Sequence, residues 1–283
     1  MSASATFTTH MKTILITGTS SGIGRATVRH FSNNGWRVVA TMRNPDKETE
    51  MQHWPNVVLK SLDVTNQESI DRAISTTIKE YGHIDVLVNN AGYGAVGIFE
   101  ASTPEQIQRQ FDTNVFGLMN VIRTIIPHFR GRRVGTIINV SSVGGRVTFP
   151  LYSVYHGTKW AVEGFAESLH YELKPFNIKV KNVEPGPIKT DFYDRSQDLF
   201  HKDGLDAYKE YEQRVLGNSK NFGANAPGPE VVAKTIWKAA NDDSFRLRYA
   251  SDFLGRFTLF TRKLVPLSWY FGIIRMLTER KSA

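Results

Sequence analysis

Short runs of consecutive apolar residues alternate along this chain with longer stretches whose apolar positions recur every three or four residues. The runs at 13–17, 36–42, 57–62, 84–88, 133–140 and 178–183 have the length of strands buried on both faces of a sheet. Between them, residues 25–31, residues 70–81, a long stretch from about 103 and the segment opening near Tyr155 carry helical spacing. Thr103-Pro104-Glu105-Gln106 gives the long stretch a capped start with proline in its first turn. Strands alternating with helices, with no internal repeat and no low-complexity linker, predict one doubly wound α/β domain over 12–283. It has a parallel sheet with helices on both faces. Residues 1–11 read as a disordered leader and 251–280 as a helical extension. Residues 191–226 read as a mobile lid, or else a static surface excursion.

The ends of these strands carry the chemistry. The first runs into Thr17-Gly18-Thr19-Ser20-Ser21-Gly22-Ile23-Gly24 and then straight into a helical pattern. Glycines in a strand–turn–helix unit permit a tight turn, let backbone approach a pyrophosphate and bring helix against strand, as in a Rossmann fold. The helix N-terminus then offers N–H groups and its positive dipole end to phosphate. The second strand ends in Met42 and Arg43, with no carboxylate before Asp46. An acid at this place takes a ribose 2′-hydroxyl, whereas arginine accommodates a 2′-phosphate, so the sequence favours NADP over NAD. The plain alternative for Arg43 is a solvated charge at a strand end.

Tyr155 and Lys159 are four residues apart at the opening of a helix and leave from the same face. An ammonium beside a phenol favours the phenolate, but bringing a phenol from a pKa near 10 to neutrality takes about 4 kcal/mol. Lys159 falls short of that alone, and a positively charged nicotinamide ring nearby would add to it. Asn114, between apolar residues of the long helix, reads from its surroundings as a satisfied core amide.

Composition narrows the field. An apolar fraction of 41% with 22% charged residues is that of a soluble globular protein, and the absence of cysteine excludes disulfides, thiolate chemistry and cysteine metal sites. No metal site is expected. Residues 1–10 lack the basic and apolar regions of a signal peptide, so a cytoplasmic location is expected. The net charge is +8, and from Arg246 onward eight basic residues face two acidic ones. Those cations follow no nucleic-acid motif, so no nucleic-acid partner is expected. Much of the same tail is aromatic and apolar, yet its longest uncharged run, 264–274, is too short to span a bilayer. It reads as helices packed over the substrate end with cationic heads outward. A weak peripheral membrane contact by a basic, aromatic helix pair is the second reading.

Taken in order, Thr17-Gly18-x-x-x-Gly22-x-Gly24, Asp63-Val64, Asn89-Asn90-Ala91-Gly92, Asn114, Ser142, Tyr155-x-x-x-Lys159 and Pro185-Gly186 resemble the short-chain dehydrogenase/reductase family across residues 12–190. Ser142 rather than Ser141 is chosen because it precedes Tyr155 by 13 positions, the common family spacing. The resemblance implies that Tyr155 is the acid in ketone reduction and the base in alcohol oxidation. Lys159 holds the nicotinamide ribose, and Ser142 hydrogen-bonds the substrate oxygen. Asn114 binds a water that links Lys159 to solvent. It further implies that Gly18, Ser20, Ser21, Gly22, Ile23 and Gly24 cradle the phosphates, and that Asp63 and Val64 address adenine. Asn89, Ala91 and Gly92 line the adenosine and ribose side. Pro185, Gly186, Ile188 and Thr190 serve the carboxamide and phosphate end. Assembly as a homodimer or homotetramer through helices around 104–130 and 154–174 is implied as well.

The chain departs from the family pattern in having Ser21 where many NADP-binding members carry a basic residue before the second glycine, which leaves a 2′-phosphate to Arg43 and the two serine hydroxyls. His156 reads as a packing or surface residue rather than a second proton relay. Tyr93, Val143, Phe149, Tyr152 and Phe192, with Leu151 and Tyr193, make the expected substrate walls apolar and aromatic. A hydrophobic ketone or secondary alcohol suits such walls better than a sugar. The extended C-terminus resembles hydroxysteroid and retinol dehydrogenase-like members. The activity expected is an NADPH-dependent carbonyl reductase or alcohol dehydrogenase. A non-catalytic dinucleotide sensor or scaffold on the same fold is the alternative.

Overall fold

The computed structural model describes residues 11–189, 197–224 and 226–279; side chains of 197 and 219–224 are not described. Residues 1–10 of the expected leader, Thr190, Phe192 and Tyr193 lie outside the described residues.

Seven strands form the main sheet: β1 (Thr13–Thr17), β2 (Arg37–Met42), β3 (Val57–Ser61), β4 (Val86–Asn89), β6 (Gly135–Val140), β7 (Ile178–Glu184) and β9 (Arg248–Ala250). Their order is β3-β2-β1-β4-β6-β7-β9, with every pairing parallel. A separate two-stranded ribbon pairs β5 (Gly94–Val96) with β8 (Gln197–Leu199). β9 and this ribbon carry only three residues each, too few to show a period in the sequence.

Helices cover both faces of the sheet. On one side lie α1 (Gly22–Asn33) and α7 (Glu230–Asn241), whose Val28, Phe31, Val232 and Ile236 pack on Ile14, Ile16 and Val38. On the other lie α2 (Gln67–Tyr81), α4 (Leu118–Arg132) and α5 (Ser153–Leu173), whose Ile74, Ile122, Ile125 and Val162 pack on Leu15, Val39 and Ile137. Successive residues of β1 thus serve opposite layers, which is why its five positions are all buried and read as an unbroken apolar run. The strand order reverses between β1 and β4. Open α/β sheets bind ligands in the crevice at that reversal, beyond the carboxyl ends of the strands.

The helix expected from residue 103 is two helices. Thr103 and Gln106 exchange the two bonds of a capping box at the start of α3 (Pro104–Phe111). A π-helical turn, Asp112–Gly117, then intervenes before α4. Such turns occur where one residue must be turned out of register, frequently at functional sites. Asn114 stands in this one.

The expected lid contains β8 and α6 (Lys209–Ala224) among its described residues, and Phe200 is buried against Ala95, Ala101 and Val154. The chain ends in α8 (Phe253–Leu264) and α9 (Leu267–Thr278), turned at Val265–Pro266. No helix among the described residues is long and apolar enough to cross a membrane.

Candidate active site

A single cleft of about 1070 Å³ runs along the carboxyl ends of β1, β4, β6 and β7. At its near end Gly18 and Gly22 adopt left-handed φ of +69° and +52°, which glycine alone takes without strain. A Cβ on Gly18 would stand 2.7 Å from the Ala91 Cα, and one on Gly24 would stand 2.2 Å from the Gly18 carbonyl oxygen. Those contacts explain two of the glycines as packing requirements. Ser21 occupies the N-cap of α1 without a side-chain cap bond, and the first turn carries no acid, so N–H groups and dipole are left facing the cleft. This donor set fits a dinucleotide pyrophosphate.

Asn90 ties the turn to the next strand. Its side chain donates to the carbonyls of Thr17 (3.0 Å) and Gly18 (2.8 Å), while Thr17 Oγ1 accepts from the N–H groups of Asn90 (3.0 Å) and Ala91 (3.1 Å). Asn90, Ala91 and Gly92 line the cleft. Asn89 does not: it lies in a buried amide ladder, donating to Asn139 Oδ1, which in turn pairs with Asn182, both at 3.1 Å. Strand alternation turns adjacent side chains to opposite sides, so only one of the two asparagines reaches the site. Arg43, Asp63 and Val64 line the cleft as well. Arg43 is exposed and forms no ion pair with a described residue.

The reacting end is built on α5 and the loop after β6. Tyr155 and Lys159 sit one helical turn apart, with the ammonium 5.8 Å from the phenol ring centre. Lys159 Nζ donates to the Val140 carbonyl at 2.9 Å, which spends one of its three protons and holds the head at the cleft floor. Burial lowers its pKa to about 8, against the pull of Glu163 one turn further on. Burial pushes the Tyr155 phenol up to about 12, with the Ser142 hydrogen bond acting the other way and Tyr152 adding to the rise. The direction is thus set by desolvation and is opposite to the depression that the Tyr–Lys spacing predicts. Ser142 Oγ accepts from the Gly144 N–H at 2.9 Å, which holds the side chain in place, and it faces the Pro185 carbonyl at 3.5 Å. Ser141 is buried beside it, its hydroxyl without a hydrogen-bond partner among the described residues.

Asn114 is a satisfied core amide. Its carboxamide accepts from the Tyr93 N–H (3.1 Å) and donates to the Tyr93 carbonyl (2.9 Å) and to Thr158 Oγ1 (3.2 Å). Both amide protons are used on protein, so the water-holding role implied for it does not rest on its side-chain N–H groups. The side chain instead binds the strand-end loop to α5.

His156 is the residue that sequence reasoning undervalued. Its Nε2 accepts from the Phe149 N–H at 3.0 Å, so Nδ1 carries the proton and donates to the Gly144 carbonyl at 2.9 Å. Burial lowers its pKa to about 4, and the neutral ring clamps the loop that carries Ser142. Asp252 was also missed. It accepts from the N–H groups of Gly186 (2.9 Å) and Gly255 (2.7 Å), capping α8 while pinning the Pro185–Gly186 turn. Its signal was Ser251-Asp252 ahead of an apolar helix.

Beyond Tyr155 the cleft turns apolar. Tyr93, Val143, Phe149 and Tyr152 line it together with Leu254, Ile274 and Leu277 from the last two helices. Pro185, Gly186, Ile188, Ser20 and Ile23 line the cleft too. Among the described residues no cluster of acidic or histidine side chains is arranged to hold a metal.

The family model for short chain dehydrogenases matches residues 12–198. An uncharacterized oxidoreductase of Schizosaccharomyces pombe is 41% identical over 208 residues, covering 74% of this chain and 87% of that protein. Retinol dehydrogenase 8 of Bos taurus is 38% identical, covering 80% and 77%. A short-chain dehydrogenase from Streptomyces avermitilis superposes with a TM-score of 0.80 at 31% identity, covering 94% and 96%. ElxO with NADP bound superposes at 0.71 and 28%, covering 86% and 97%.

Proposed function

The chain belongs to the short-chain dehydrogenase family, an oxidoreductase family, and on that premise we propose that it interconverts a hydrophobic ketone and its secondary alcohol with NADP(H). The observation that carries this reading is one continuous cleft. It joins an anion-binding turn, the Ser142–Tyr155–Lys159 group and an apolar chamber, in that order.

Gly18, Ser20, Ser21, Gly22 and Ile23 would hold the dinucleotide phosphates, with Arg43 at the 2′-phosphate and Asp63, Val64 and Ala91 along the adenosine. When bound, the cofactor would supply the hydride. In ketone reduction the Tyr155 phenol gives its proton to the substrate oxygen, so the C=O becomes C–OH as the carbon gains hydrogen. Burial keeps the Tyr155 phenol protonated in the cofactor-free protein, the form from which a proton is given. Ser142 donates to the same oxygen and stabilises the charge that builds on it. Lys159 sits at the ribose side and supplies the positive charge that eases loss of the phenolic proton in the oxidative direction. Asn114 and His156 act as positioning residues for the two loops.

The apolar chamber supports a hydrophobic substrate, as does similarity to a retinol dehydrogenase. Arg43 and the absence of an acid beside it support NADP, as does the NADP bound by ElxO. Assembly as a homodimer or homotetramer is proposed through α4 and α5 and the turn before them, where Phe116, Trp160 and Tyr171 are exposed. The test is reductase activity on a panel of bulky hydrophobic ketones with NADPH and NADH in parallel, repeated with Arg43→Ala. NADPH is expected to be preferred. Arg43→Ala should raise the NADPH KM roughly tenfold and leave NADH unchanged. Preference for NADH in the unmodified protein would contradict the cofactor assignment.

A further inference from the structure

Of the large apolar side chains exposed among the described residues, eleven of nineteen lie in α8 and α9. Their placement is inverted relative to an ordinary surface helix. On α8 the outward stripe is Phe253, Phe257, Phe260 and Leu264, at i, i+4, i+7 and i+11, with the first two rings stacked 6.4 Å apart. On α9 the outward side carries Trp269 (71% exposed), Ile273 and Met276 (64%), again at i, i+4 and i+7. The inner faces are apolar too: Leu259, Tyr270 and Ile274 pack with Val143 and Val147. Both helices rest on the same cluster, so their outer faces point away from the same core. Arg256, Lys263 and Arg275 do face outward, but so do aromatic rings that the sequence reading placed inward. Aromatic rings cover the extension, and the cations flank them.

We propose that this face docks on an anionic lipid bilayer, and that the hydrophobic substrate passes from that bilayer into the chamber. Three observations select this occupant. An exposed apolar face of two adjacent helices, tipped with aromatic rings and flanked by basic side chains, has the make-up of an in-plane interfacial element. Residues 253–279 carry four basic side chains against one acid, Glu279, and Arg256 and Lys263 form no ion pair with a described residue. Two copies meeting through this face would bring like charges together, whereas anionic headgroups complement them. Finally, Leu254, Thr258, Ile274 and Leu277 of the same helices line the chamber, so the docking face and the mouth of the cleft are continuous. The passage of substrate rests on the functional reading above; the docking does not.

The test is flotation of the full chain with phosphatidylcholine vesicles, with and without phosphatidylserine, at low and high salt. It is paired with reduction of a water-soluble hydrophobic ketone. Phe257→Ser/Phe260→Ser/Trp269→Ser and Arg256→Glu/Lys263→Glu are compared with the unmodified protein. Flotation is expected on phosphatidylserine vesicles, weakened by salt. The aromatic variant should lose about tenfold or more in affinity, and the charge variant should lose its low-salt binding. Turnover of the soluble ketone should be the same in all three. Absence of flotation at low salt, equal flotation of all variants, or a concentration-dependent dimer lost in the variants without any flotation would each overturn the proposal. Flotation without turnover of any ketone would leave docking standing and remove the reductase reading.

Discussion

Glu184, at the end of β7, shows how a residue's environment sets its behaviour. It is almost fully buried, with Glu163 nearby and Arg146 and Arg248 at 3.5 and 3.4 Å. Burial, with the charge of Glu163 added to it, raises its pKa from 4.5 to about 7 despite both arginines. The folded protein therefore keeps a proton that the unfolded chain has lost between those values, and stability falls as pH rises through that window. Glu184→Gln should remove this fall and gain on the order of 1–3 kcal/mol relative to the unmodified protein between pH 5 and pH 8, measured by denaturant melts. An unchanged pH dependence would contradict the assignment. Nothing in the sequence marks Glu184 out, because its partners come from α5, the loop after β6 and β9. Tyr155, Lys159 and Ser142 were legible because spacing along one helix and one strand end survives in the sequence. The Asn89–Asn139–Asn182 ladder was not, since its members come from three separate strands.

At the scale of elements, the strands of the sheet interior were visible as apolar runs, and the helices of both layers as 3.6-residue periods. What escaped were features whose cause lies in another element. Lys181 alternates with Lys179 in β7 and looks like one of two solvent-facing cations, yet it is fully buried. Its Nζ donates to the Ala239 carbonyl at 2.9 Å and to that of Asp242, closing the C-terminal end of α7. Lys181→Met keeps the length and strands both carbonyls, so it should cost about 2 kcal/mol in chemical denaturation; a cost near zero would show that the lysine does not close the helix. The π turn at Asp112–Gly117 was hidden for a similar reason. Its residues suit an α-helix, and the pull on Asn114 from Tyr93 and Thr158 is a tertiary one.

Across the whole molecule, one sheet places three kinds of chemistry along the carboxyl ends of its strands. Short βα turns carry the proposed anion site, α5 presents the phenol and the ammonium, and the last two helices line the apolar chamber while exposing aromatic rings to the outside. The C-terminal pair was legible as basic and aromatic, but which side faced out depends on what it packs against. The central claim is that Tyr155 is the proton donor of a ketone reduction. It is tested most directly by comparing the unmodified protein with Tyr155→Phe, in NADPH affinity and in turnover of a bulky hydrophobic ketone. Removing one hydroxyl should leave NADPH binding within about threefold and lower kcat by roughly 10²–10⁴-fold. Equal turnover by the two proteins would contradict the account.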